Sequence, residues 1–191
     1  EIVPVGGGNH LRLVCAKKGA ALSCMRFGVK PEEFPYSPGE KLDLAVTLDL
    51  REFRGQPQLT VSVRDVKLSG LDREACLHSF RLYEKARRRE ALSGQEAAEL
   101  LPTREDFAAV YRRLKSLRGA PFGWESLLGG LPSLSLGKLL LCLDIMEERR
   151  LVALLGGEER KVAEILPTQG KVDIFASPLY RQVQDLVGED A

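Results

Sequence analysis

Between Lys41 and Glu52 apolar and polar residues alternate: Leu42, Leu44, Val46, Leu48 and Leu50 share one parity, and Asp43, Ala45, Thr47 and Asp49 the other. From Gln58 to Ser69 the pattern repeats, with Leu59, Val61 and Val63 set against Thr60, Ser62 and Arg64. A period of two is that of a strand with one face in a core and the other in water or on a ligand. His10 to Ala16 and Ala20 to Phe27 read as two further extended runs, and Glu1 to Val5 as a strand stub. The connections carry turn chemistry: Gly6-Gly7-Gly8, Lys17-Lys18-Gly19, the proline-rich stretch Pro31 to Gly39, and Arg54-Gly55-Gln56-Pro57. The glycine triplet is a flexible turn and not a phosphate loop, because no Lys-Ser/Thr follows it and no helix begins there. Short strands at this spacing predict an antiparallel Greek-key barrel or small sandwich over residues 1–70.

At Leu71 the period changes. Ala75, Cys76, Phe80, Tyr83 and Ala86 recur at helical spacing, with Asp72 as a cap and Arg87-Arg88-Arg89 near the end, before Ser93-Gly94 breaks the helix. This segment, 71–102, is predicted to be a helical linker. A second domain is expected over 103–191. Thr103 and Asp106 form a capping box in front of a helix with Phe107, Val110, Tyr111, Leu114 and Leu117 on one stripe, ended by Gly119. A short helix follows at Trp124 to Leu128. A third starts at Ser135 with Leu136, Leu139, Leu140, Leu143 and Met146 inward. Leu151 to Leu155, Lys161 to Leu166 and Lys171 to Phe175 read as extended, and Ser177-Pro178 opens a last helix. Three helices followed by a hairpin is the order of a winged helix, whose third helix reads a groove. Here that helix offers Lys138, Asp144, Glu147 and Glu148, and carboxylates facing phosphates cost affinity. Contact with protein is therefore expected of this domain rather than duplex reading. The fold class expected for the whole chain is α+β: a β-barrel followed by a helical, winged-helix-like domain.

The net charge of +1 conceals an uneven distribution. Residues 1–70 hold ten Lys/Arg against eight Asp/Glu, residues 71–118 eleven against eight, and residues 119–191 seven against eleven. A basic front and an acidic back suit a protein that meets nucleic acid on one side. The four cysteines show no paired metal spacing and read as small core residues, although Cys15 and Cys24 stand on neighbouring strands. No apolar run reaches membrane length and no signal peptide is visible. The chain begins on Glu1, inside a strand, as expected of a piece excised from a longer protein.

The run Gly6-Gly7-Gly8-Asn9-His10-Leu11-Arg12-Leu13 resembles the Gly-rich, His-Leu-Lys-Leu stretch of the RecJ single-strand-specific exonucleases. The likeness continues through Met25-Arg26-Phe27-Gly28, Leu42-Asp43-Leu44, Phe53-Arg54-Gly55 and the run Gln58 to Val66. It covers about residues 1–69. The remainder, including Pro102 to Phe107, resembles the C-terminal extension of clostridial-type members. The resemblance implies an OB-fold domain that follows the catalytic domains, here with its first strand partly truncated. It implies a bacterial, cytoplasmic protein of DNA repair and recombination. The full-length enzymes cleave single-stranded DNA 5′ to 3′ with a divalent metal (Mn or Mg), held by Asp-His-His and aspartate motifs. Those motifs are absent here, and the two histidines, His10 and His78, are far apart. No catalytic residue, metal ligand or cofactor is therefore expected in this chain. Where family members often carry Asn before the Phe-x-Gly turn, this chain reads Leu50-Arg51-Glu52-Phe53.

An OB barrel grips single strands through a basic groove and aromatic faces. The residues expected to bind nucleic acid are His10, Arg12, Arg26, Arg51, Phe53, Arg54, Arg64 and Lys67. Phe53 is the expected base-stacking aromatic, and Phe27 is read first as a core residue. Arg112, Arg113, Lys115 and Arg118 form a basic stripe on the Thr103 helix, read first as a solvated face. The partners implied are single-stranded DNA, the RecJ catalytic core in cis, and a helicase or single-strand-binding protein. The competing reading is a protein-interaction module that docks a repair partner or the catalytic core without touching DNA.

Overall fold

The computed structural model describes residues 1–53, 55–168 and 170–186, with the side chains of Arg51 and Phe53 outside the description. Five strands form the first sheet: β1 (Ile2–Val5), β2 (His10–Lys17), β3 (Ala20–Phe27), β4 (Leu42–Phe53) and β5 (Gln56–Leu68). The turns drawn from the sequence join them, and a 3-10 turn at Pro31–Glu33 lies between β3 and β4. Strand order is β1-β2-β3-β5-β4, with antiparallel neighbours except for a parallel contact between β3 and β5 at Met25 and Ser62. This is the order of an OB fold, a Greek-key barrel that is often partly open.

The expected closed cylinder is not found among the described residues: β1 pairs with β2 alone, and β4 with β5 alone. Strand β1 has four residues, one of them Pro4, which has no N–H to give to a ladder.

Leu11, Leu13, Cys24, Val61 and Val63 fill the concave face, joined by Phe34 and Tyr36 from the β3–β4 connection. Leu42 and Leu44 pack against this core, as expected. Val46, Leu48 and Leu50 do not follow them inward and stand exposed. Alternation sets the parity of a face but not how far the core beneath it extends. Within the β4–β5 ladder the register slips by one residue. Ala45 faces Asp65, Val46 faces Val63, and Arg64 is the extra residue of a β-bulge.

By contact the chain divides into two units. The first comprises Glu1–Leu71 with Phe122–Ser126 and Glu158–Arg160, and the second Asp72–Pro121, Leu127–Gly157 and Lys161–Ala191. The segment 71–102, expected to be a helical linker, is helical, with α1 (Arg73–Arg87) and α2 (Gly94–Leu100), and from Asp72 onward it falls within the second unit. Ser93-Gly94, read as a helix breaker, instead starts α2. The Ser93 hydroxyl accepts from the Glu96 N–H, and the Glu96 carboxylate accepts from the Ser93 N–H. Then come α3 (Arg104–Leu117), α4 (Trp124–Gly129), α5 (Leu136–Glu148), the hairpin β6 (Val152–Gly156) and β7 (Lys161–Ile165), and α6 (Pro178–Asp185). The third extended run drawn near Lys171 to Phe175 is not a strand. Asp173 caps a 3-10 turn at Ile174–Ala176.

The helix in the groove-reading place, α5, is buried over most of its circumference, with α1, α2 and α3 packed around it. The amide N–H of Gly137 donates to the Ser79 hydroxyl of α1 at 3.2 Å. The Tyr83 hydroxyl donates to Asp144 at 2.6 Å, and Arg87 pairs with the same carboxylate at 3.2 Å. Burial raises the pKa of the Asp144 carboxyl and of the Tyr83 hydroxyl alike.

Candidate nucleic-acid interface

Opposite the concave core, a row of paired residues crosses every strand of the sheet: Val3, Arg12, Met25, Ser62 and Thr47. Beside it runs a second row, in which Val5 faces His10 and His10 faces Phe27. Two residues on from the parallel Met25–Ser62 contact, in the common strand direction, stand Phe27 and Arg64. The sheet thus gathers an imidazole, an aromatic ring and two guanidinium-bearing residues on one face.

Local geometry fixes the two rings. Gly28 donates its backbone N–H to Nδ1 of His10 at 3.0 Å, which leaves Nε2 as the donor of the neutral ring. The His10 and Phe27 rings meet edge to face, with centroids 5.4 Å apart and planes at 72°. Gly6 makes room for this pair. It holds φ at +59°, and a Cβ there would come within 3.0 Å of His10 Cδ2. The turn read as flexible is therefore shaped to its neighbour, and a side chain at Gly6 would suffer both backbone strain and contact with the imidazole.

Phe27, read first as a core residue, is 52 % exposed. The sequence misled because Leu22 and Cys24 on one parity of β3 and Met25 and Phe27 on the other are all apolar, so periodicity alone does not choose the inner face. Arg12 is exposed and has no ion pair among the described residues. Arg64 is exposed, with Nε donating to the Thr47 hydroxyl at 3.2 Å, a contact that steadies the side chain. These four residues, His10, Arg12, Phe27 and Arg64, form the candidate interface.

Two of the other expected residues, Arg26 and Lys67, are engaged elsewhere. Arg26 pairs in register with buried Leu11, on the concave side. Its Nη1 donates to the carbonyls of Val63 at 3.1 Å and Arg64 at 2.6 Å, the two residues at the bulge. Its guanidinium is thus engaged by backbone that the bulge removes from regular pairing. We expect Arg26→Met to cost about 1–3 kcal/mol of stability by leaving these acceptors unpaired, read as a lower urea midpoint. A midpoint equal to that of the parent would show that water replaces the guanidinium without loss. Lys67 lies five residues beyond Ser62 on β5 and pairs with Asp43 at 3.7 Å. Arg51 faces Gln58 and Phe53 faces Gln56 in the ladder, while Arg54 lies outside the described residues.

Strand order, the outward row and the Gly6–His10 packing now stand together. Residues 1–65 match the family model of the RecJ OB domain. The match spans β1 to the bulge of β5 and includes all four residues of the candidate interface. No significant match was found among curated proteins or solved structures. Among the described residues no three His, Cys, Asp or Glu side chains cluster so as to hold a metal ion. No helix among the described residues is long and apolar enough to cross a membrane.

Proposed function

We propose that this chain is the single-strand-binding accessory region of a RecJ-like 5′–3′ single-stranded-DNA exonuclease acting in repair and recombination in the bacterial cytoplasm. Cleavage belongs to metal-dependent catalytic domains that act in cis with it. The observation that carries the proposal is the row His10, Phe27 and Arg64, with Arg12 beside it, on the outer face of a RecJ OB domain. Phe27 supplies a π face for an unpaired base, Nε2 of His10 a donor, and Arg12 and Arg64 charge for phosphates. None of these groups reads a base edge by paired donors and acceptors, so binding is expected to tolerate sequence. The second unit is assigned to protein contact, with the catalytic core, a helicase or a single-strand-binding protein, and the burial of α5 supports this.

Titration of a fluorescent oligo(dT) with the full chain at several salt concentrations tests the reading. Affinity falls with salt, because each neutralised phosphate contributes about −0.7 to the slope of log K against log salt. Changing Arg12 and Arg64 together to Ala reduces the steepness by about 1.4 if each meets one phosphate. An unaltered slope with unaltered affinity in that variant would reject the interface.

A further inference from the structure

Segment 122–126, which belongs to the first unit, is pinned on both sides of an outward tryptophan. Phe122 is buried, and Gly123 lies so close to the β3–β4 connection that a Cβ there would fall 2.7 Å from both Cβ and the carbonyl oxygen of Pro35. Beyond the tryptophan, Glu125 accepts from the Tyr36 hydroxyl and, at 3.2 Å, from the Leu68 N–H. The Ser126 hydroxyl donates to the Pro35 carbonyl at 3.3 Å. Trp124, between these fixed neighbours, is 38 % exposed and lines a cleft of about 450 Å³. Indole rings held half-open in this way are common where proteins meet a partner.

Charge decides the occupant. Glu33, Glu125 and Glu159 line the same cleft, and none of the three has an ion pair among the described residues. Asp65 lines it too but is already engaged. Arg26 is the cation among the lining residues, and its Nη1 is given to the carbonyls of Val63 and Arg64. We infer that this cleft takes an arginine side chain presented by a protein partner. A planar guanidinium stacks on an indole face and at the same time forks its N–H groups to carboxylates, whereas an ammonium does not combine the two. Phosphates are repelled by the same carboxylates, which excludes a nucleic-acid strand. Arg26 lies on the concave side of the sheet, opposite the outward row, so the two surfaces can be tested separately.

Fluorescence of the full chain tests this, because Trp124 is its only tryptophan. The probes are two short, acetylated and amidated Gly-Ser peptides, one carrying paired arginines and the other paired lysines. The arginine peptide is expected to change the emission of Trp124 saturably, and the lysine peptide to bind about threefold or more weakly. Glu33→Gln with Glu159→Gln removes two charges, keeps an acceptor for the Lys30 N–H that Glu33 now holds, and weakens the arginine peptide by about threefold or more. Trp124→Leu, followed by calorimetry, weakens it by roughly 2- to 30-fold. Circular dichroism checks that each variant keeps its fold. No saturable change up to about 10 mM arginine peptide overturns the inference. So does equal affinity for the two peptides, or parental affinity in either variant. Quenching of Trp124 by oligo(dT) alone would place nucleic acid in the cleft, and emission that shifts with the protein's own concentration would place a second copy there; either result overturns it as well.

Discussion

Gly137→Ala is expected to destabilise the second unit by about 3 kcal/mol or more, at or above the upper end of the usual cost of overpacking. On an exposed helix the same change would help by about 1 kcal/mol, since alanine is the better helix former. The balance reverses because Gly137 marks the close approach of α5 to α1. A Cβ built there falls 2.1 Å from the backbone oxygen of Ser79, and backbone cannot swing aside as a side-chain tip can. Relief requires the helices to part. That movement also strains the bond from the Gly137 N–H to the Ser79 hydroxyl and loosens a core that includes Leu82, Leu100, Leu139 and Ile145. The loss is a large fraction of the roughly 5–15 kcal/mol that keeps a domain folded. Urea unfolding followed at 222 nm reads it as a lower midpoint. A midpoint equal to or above that of the parent would mean that α1 and α5 part without cost.

Phe27→Ala is expected to weaken binding of single-stranded oligo(dT) by roughly 5- to 150-fold, the equivalent of about 1–3 kcal/mol for one lost base stack. The ring is half-exposed, so its removal costs the fold little hydrophobic burial. The Gly28–His10 bond, which does not involve the ring, then holds the imidazole in place. Phe27→Tyr keeps a π face and should bind close to the parent, whereas Phe27→Leu keeps bulk without the ring and should resemble the alanine variant. This series separates stacking from packing. Equal affinity across parent, tyrosine, leucine and alanine would remove Phe27 from the interface.

Much of the fold was legible in the residues. Strands β2 and β3 end within one residue of their predicted limits, and β4 and β5 within two. The capping box of Thr103 and Asp106 forms as read, with the Thr103 N–H and the Asp106 carboxylate at 2.8 Å. An equal signal at Ser93 and Glu96 was masked by the glycine between them, which looked like a break and proved to be a first helical residue. The site was less legible. Arginines in or beside strands all look alike in a sequence, yet Arg12 and Arg64 are exposed while Arg26 on the concave side binds carbonyls at a bulge. A one-residue slip in a ladder leaves no mark in the chain that carries it.

Period and turn chemistry alone determined the five strands, the hairpin turns and most of the helices, because these depend on neighbours a few residues apart. Only the tertiary structure decided which apolar row found a core, which arginine was spent on backbone, and that α5 was enclosed. Those outcomes depend on segments far apart in the chain meeting in one register. Leu44 and Leu48 are alike in sequence, and what separates them is how far the core beneath the sheet extends.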